Sequence, residues 1–347
     1  MAPPLLPETI RNEEELDELL TRPDAALIES MRSVAGPLLV IGASGKMGPT
    51  LCVLARRAAE ASGTRLEIIA ASRFGDPRAR PWLEERGVRT VACDALDRAS
   101  VAQLPDAPSV IYLVGMKFGT SENPAATWAA NTIAPHHTAE RFSGSRIVAL
   151  STGNVYPLVA ANSCGAKETD PTGPVGEYGW AALARERIFL HHSRLSGTAV
   201  ATIRLNYAVE LRYGVLVDIA SKVLRGEEID LAMGHLNCIW QRDANSSVLR
   251  SLALAESPPR VLNVTGPEPL SVRKLAMQLG RFLDRGPRFR GEEAPTALLA
   301  DTSTMLRLLG APAMPIDRIL ACTAAWIRAG GRLLGKPTHF EARDGKF

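Results

Sequence analysis

The chain has 347 residues, 46% hydrophobic and 22% charged, which suits one large α/β domain or a domain carrying a smaller lobe. A formal net charge of only +3, with arginines scattered rather than clustered, gives no support to a nucleic-acid or anionic-membrane partner. Five isolated cysteines without CxxC spacing read as reduced, mostly buried thiols; neither a disulfide framework nor a metal site is expected.

The first residues are acidic, with no basic segment leading into an apolar core, so no secretory signal is read there and a cytoplasmic location is the expectation. No apolar run approaches the length of a membrane span. Within residues 1–36, "EEELDELL" and "DAALIESMRSV" have the spacing of short amphipathic helices, an N-terminal helical extension. From residue 37 onward strands and helices alternate. "PLLVIGAS", "RLEIIAAS", "VRTVAC", "SVIYLVG", "RIVALST" and "TAVATIRLNYA" read as strands, and "MGPTLCVLARRAAEAS" and "ENPAATWAANTIAPHHTAERFS" as helices between them. Short buried strands joined by helices specify a Rossmann-type, doubly wound parallel sheet over residues 37–208. After residue 208 the rhythm changes: "GVLVDIASKVLRGEEIDL" and "SVRKLAMQLGRFLD" are helical and "RVLNVTG" is a short strand. Residues 209–347 read as a smaller α+β substrate-binding lobe interleaved with the end of the sheet.

The first strand runs into Gly42, Gly45 and Gly48 and then a helix. In that order the first glycine permits the turn, the second lets backbone approach a pyrophosphate, and the third allows close helix packing. Ser44, Lys46 and Met47 complete this dinucleotide cradle, with the helix N-terminus facing the phosphates. An NAD site carries an acid after the second strand, whereas here Ser72 and Arg73 stand near that place. An arginine there suits a 2′-phosphate, and Lys46 supplies a further positive charge, so NADP is expected over NAD. Asp76 is the acid if the strand ends later.

With the glycine loop, further segments make the chain resemble the extended short-chain dehydrogenases/reductases, the NAD-dependent epimerase/dehydratase family. "ACDALD" resembles the acid after the third strand, which implies Asp94, with Ala95, against the adenine. "VGMKFGTSENP" resembles the end of the fourth strand, bringing Val114 and Gly115 to the cofactor, and Asn131 falls at the family's structural asparagine. "LSTGNVYP" aligns Thr152 with the catalytic Ser/Thr and sets Asn154 near substrate. "EYGWAALARE" resembles the YxxxK helix, with Tyr178 and Glu186 matching and Ala182 where the lysine is expected. "RLNYA" resembles the segment where Asn206 meets substrate. The resemblance covers about residues 37–270 in the correct order. It implies a small-molecule substrate, a sugar-like polyol or carbonyl compound, and a homodimer built on helices around 125–142 and 178–192.

The resemblance makes Tyr178 the proton donor beside a nicotinamide. A free phenol has a pKa near ~10, so the phenolate is scarce at neutral pH, and Ala182 can neither lower that pKa nor hold the ribose hydroxyls. Lys117 either supplies the missing cation or is a surface loop lysine. Alternatively Tyr178 stays neutral and acts only as an acid, or redox turnover is lost and an NADP-binding scaffold remains. Arg242 is a possible substrate-anion contact, and Arg204 is as well read as a structural ion pair. The histidine pairs 136–137 and 191–192 lack zinc-ligand spacing.

Overall fold

The computed structural model describes residues 10–117, 119 and 122–346. Seven segments pair into one sheet: β1 Leu38–Ile41, β2 Ile68–Ser72, β3 Arg89–Ala92, β4 Ser109–Tyr112, β5 Arg146–Thr152, β6 Val200–Leu205 and β7 Arg260–Val264. β1 and β4 are buried at every position, so neither face can be left to water. Every pairing is parallel, in the order β7-β6-β5-β4-β1-β2-β3. The chain runs outward from β1 to β3 and then returns to place β4 on the other side of β1. The crevice beyond the β1 and β4 C-termini is therefore the switch point at which such sheets bind ligands.

Alternation along the strands assigns the two layers. Leu38 and Val40 of β1, with Ile68 and Ala70 of β2, pack against Leu51, Leu54 and Ala58 of α3 (Gly48–Ala61). α2 (Ala25–Met31) and α7 (Gln241–Arg250) share that layer through Leu27, Met31, Ala244 and Val248. Leu39 and Ile41 face the opposite way, onto Ala134 and Ala139 of α4 (Pro124–Arg141) and Phe189 of α5 (Gly176–Ser196). A second core joins α6 (Val215–Arg225), α8 (Val272–Leu283) and α9 (Ile316–Arg328) to Leu16, Leu19 and Leu20 of α1 (Glu13–Leu20).

Two features go beyond the sequence reading. "RVLNVTG" is not confined to the C-terminal lobe: as β7 it adds to the main sheet beside β6, in register from Arg260 opposite Ala201. The acidity of α1 is matched within the chain. Arg57 donates to Glu18 at 2.7 Å, Arg212 to Asp17 at 3.0 Å, and Arg332 to Glu13 at 2.6 Å. All five cysteines are free thiols, and only Cys164 is exposed. Among the described residues no helix is long and apolar enough to cross a membrane, and no His/Cys/Asp/Glu group is placed to hold a metal.

Candidate active site

The glycine loop follows β1 at the switch point. Gly42 has φ of +85°, where a side chain is strained, and a Cβ there would lie 2.9 Å from the Val114 nitrogen at the end of β4. A Cβ on Gly48 would lie 2.3 Å from the Ala43 carbonyl oxygen, so only glycine lets α3 start so close to the strand. α3 opens with Met47 as an unassisted cap, with no side chain bonded to its first N–H groups and no acid in its first turn. The Gly48 N–H bonds the Gly45 carbonyl and Pro49 carries no N–H, so it is the positive helix end approached by glycine backbone that forms a cradle fitting a dinucleotide diphosphate. Ser44 and Ser72 join across the crevice by a hydroxyl–hydroxyl bond of 2.5 Å. Arg73 follows, exposed and without an ion pair among the described residues, while Asp76 pairs with Arg78 at 2.9 Å beyond it. Asp94 caps its own turn by accepting from the Leu96 N–H, and Ala95 is buried against the β3 end of the sheet.

The β4 side of the crevice is braced from both long helices. Asn131 of α4 donates to the Thr127 and Met116 carbonyls at 2.8 and 3.4 Å. Buried Arg185 of α5 donates to the Val114 carbonyl at 2.8 Å. A Cβ on Gly115 would meet the Arg185 guanidinium at 2.5 Å, so a side chain there would push this arginine off the Val114 carbonyl. The brace fixes the segment that leads into Lys117.

β5 delivers Thr152 to the same cleft, where its hydroxyl oxygen accepts the Asn154 N–H at 3.2 Å and keeps its own hydrogen to donate. Tyr178, in the first turn of α5, lines the cleft with Thr152, Asn154 and Lys117. Gly179 explains the closeness of these elements: a Cβ there would lie 2.7 Å from the Asn154 carbonyl oxygen. Asn206 sits at the β6 end with its Oδ1 buried and without a hydrogen bond, over Gly153, where a Cβ would collide with it. Burial pushes the Lys117 ammonium down to about 8, against the pull of Asp218.

Ala182, one turn beyond Tyr178, is fully buried among Val155, Tyr156, Ala166 and Leu183 and does not line the cleft.

The model of the NAD-dependent epimerase/dehydratase family matches residues 38–229. The chain belongs to this family. Solved structures of similar fold include MoeE5 in complex with UDP-glucose and NAD, at 19% identity and a TM-score of 0.69 over 85% of this chain and 99% of that one. UDP-glucose 4-epimerase from Thermotoga maritima, with UDP-glucose, gives 18% and 0.70 over 85% and 99%. DesIV, a dTDP-glucose 4,6-dehydratase from Streptomyces venezuelae with NAD bound, gives 18% and 0.71 over 84% and 97%. A search of curated protein sequences finds no match.

Two residues expected in this epimerase/dehydratase site are placed otherwise. Lys46 does not turn toward Ser72 and Arg73. Its ammonium crosses the cleft to the Ala208 carbonyl at 2.8 Å and lies 3.5 Å over the Tyr213 ring. Arg242 does not line the cleft at all; it pairs with Asp24 at 2.9 Å and Asp243 at 2.8 Å and donates to the Arg22 carbonyl, tying the N-terminal extension to α7. An arginine with two acids at hand is held where they are, and its sequence context, "WQRDANS", carries only one of them.

Arg204 is the structural ion pair that was one of its two readings. It pairs with Glu186 at 2.8 Å, both almost fully buried, and donates to the Tyr156 hydroxyl at 2.8 Å. Glu186 also accepts from Ser151 at 2.5 Å, directly beside Thr152. Sequence reasoning missed Tyr207 and Tyr213, which wall the cleft opposite the glycine loop. Tyr207 has φ of +36°, an uncommon backbone state for a bulky residue, held here at the mouth of the site. Its place directly after Asn206 was the available signal; Tyr213 had none.

Proposed function

We propose that the protein is an NADP-dependent oxidoreductase or epimerase/dehydratase acting on a sugar-like polyol or carbonyl compound, with Tyr178 as proton donor. The observation that carries the reading is that Thr152, Tyr178 and Lys117 line one cleft that opens onto the glycine cradle. Of the structures named above, MoeE5 holds UDP-glucose and NAD, the Thermotoga enzyme UDP-glucose and DesIV NAD, which supports a nicotinamide cofactor and a polyol-type substrate here. The nicotinamide, when bound, supplies or accepts hydride at the reacting carbon. Thr152 donates a hydrogen bond to the reacting oxygen, and Tyr178 transfers the proton there. Lys117 supplies the cation that Ala182 does not, holding the phenol and the cofactor ribose. α4 and α5 leave Trp128, Ile133 and Trp180 exposed, which supports a homodimer formed through these helices.

Arg73 carries the cofactor preference. It stands at the β2 end without a carboxylate partner among the described residues, and the nearest acid in sequence, Asp76, is already paired. Arg73→Ala is expected to weaken NADP by about tenfold or more, the loss of one charge-assisted contact, with NAD little changed. Equal losses for the two cofactors in a binding titration overturn the 2′-phosphate contact.

Lys117 titrates in a useful range, so the rate is expected to fall as pH rises through about 8 and its charge is lost. Lys117→Ala is expected to lower the chemical step by about tenfold to a hundredfold, equivalent to one or two pKa units of lost stabilisation. An unchanged pH–rate profile in that variant removes Lys117 from the proton chemistry.

A further inference from the structure

Lys46 lies in the loop that the fold devotes to the cofactor, yet its side chain leaves that loop. The residue is exposed, and its ammonium donates to the Ala208 carbonyl and lies over the Tyr213 ring face. Ala208 and Tyr213 follow β6 and line the cleft together with Asn206 and Tyr207. Both partners are neutral, and no carboxylate lies within ion-pair distance of Lys46 among the described residues. The carbonyl takes one of three ammonium hydrogens and leaves donors over.

The cleft itself reinforces this. None of its described lining residues is Asp or Glu, while Lys46 and Lys117 both line it and act on each other. Glu210 and Asp218 act on Lys46 from a distance without pairing with it, so an ammonium beside a second cation still has room for an anion of its own. A cofactor diphosphate belongs at the α3 N-terminus, whereas the Lys46 ammonium is engaged by the Ala208 carbonyl and the Tyr213 ring.

Resting on the reading of this cleft as a substrate site, we infer that Lys46 recognises an anionic oxygen group of the substrate, a carboxylate or a phosphate monoester, held close to the reacting carbon. The substrate is then an acidic polyol or a phosphorylated one, not a neutral sugar. Lys46 is a specificity-determining residue and Tyr178 remains the proton donor.

Protonation gives a second readout. Burial pushes Lys46 down to about 7; Glu210 and Asp218 pull it up and Lys117 pushes it further down. Tyr213, packed against it, is held neutral by burial, its pKa pushed up beyond the ordinary phenol range. An anion arriving beside the ammonium favours its charged form, so binding at pH 8 is accompanied by proton uptake.

The test is titration calorimetry with D-glucuronate, D-glucose 6-phosphate and D-glucose, on NADP-loaded and on cofactor-free protein, in buffers of differing ionisation enthalpy. One of the two anions is expected to bind at least tenfold more tightly than glucose and to take up protons at pH 8; which one identifies carboxylate or phosphate. Lys46→Met is expected to abolish that preference and reduce the proton uptake, with NADP affinity within twofold, and Lys46→Arg to keep the preference. Anions no better than glucose, no binding of any probe, or a Lys46→Met variant that loses NADP instead overturns the inference. Turnover is not needed for this result, so failure of the redox reading is seen separately, as anion binding without hydride transfer.

Discussion

Tyr178→Phe is expected to lower hydride transfer by about two to four orders of magnitude, the usual contribution of a positioned proton donor, with little change in NADP affinity. The substitution removes one oxygen and keeps the ring, so the packing of α5 onto the Asn154 turn survives. Tyr178 lines the cleft with Thr152, whose hydroxyl oxygen accepts the Asn154 N–H, so under the proposed function the reacting oxygen is offered two hydroxyl donors. Removing the phenol leaves Thr152 able to orient that oxygen but unable to complete the proton transfer. Nicotinamide absorbance followed in single turnovers, with a panel of acidic and phosphorylated polyols and their carbonyl forms, reads the chemical step directly. Cofactor binding without any turnover, in wild type and variant alike, sinks the oxidoreductase reading. The burial of Ala182 in an apolar cluster is the observation that gives that rival its weight.

That test also separates what the sequence carried from what it did not. The glycine spacing, the buried strands and their order were sufficient for the fold, because each expresses a local requirement: φ at Gly42, close packing at Gly48, apolarity on both faces of β1. Thr152, Tyr178, Asn154 and Asn206 could be named because the segments that carry them resemble those of the epimerase/dehydratase family, and the four line one cleft. Side-chain direction is a different matter. Nothing in "GASGKMG" says that Lys46 reaches across the cleft to Ala208, since that depends on a carbonyl far away in sequence. Arg242 failed for the same reason, as Asp24 lies in the N-terminal extension. β7 was recognised as a strand, but its partner was not legible, because pairing with β6 is a long-range choice that local propensity does not encode.

Arg204→Met is expected to cost about 3–5 kcal/mol of stability, the usual penalty for stranding one member of a buried ion pair. Burial works against the Arg204 charge, but Glu186 and the Tyr156 hydroxyl outweigh it and hold the guanidinium above its ordinary pKa. The variant leaves the Glu186 carboxylate enclosed with only the Ser151 hydroxyl, and it strips a donor from Tyr156, which still donates to Asn263 at 2.9 Å. Denaturant unfolding measures this loss. Arg204→Lys is not expected to restore it, because one ammonium cannot span both carboxylate oxygens and the phenol as the planar guanidinium does. The double variant Arg204→Met/Glu186→Leu is the informative comparison, since well-packed apolar replacements for a buried pair are often neutral in stability. Glu186 holds Ser151, Ser151 precedes Thr152 on β5, and Glu186 stands two turns from Tyr178 on α5. The pair therefore ties the strand that carries one site residue to the helix that carries the other. The double variant is expected to regain stability but to transfer hydride more slowly than wild type at unchanged cofactor affinity. Full recovery of both would show that the pair serves only to satisfy its own charges.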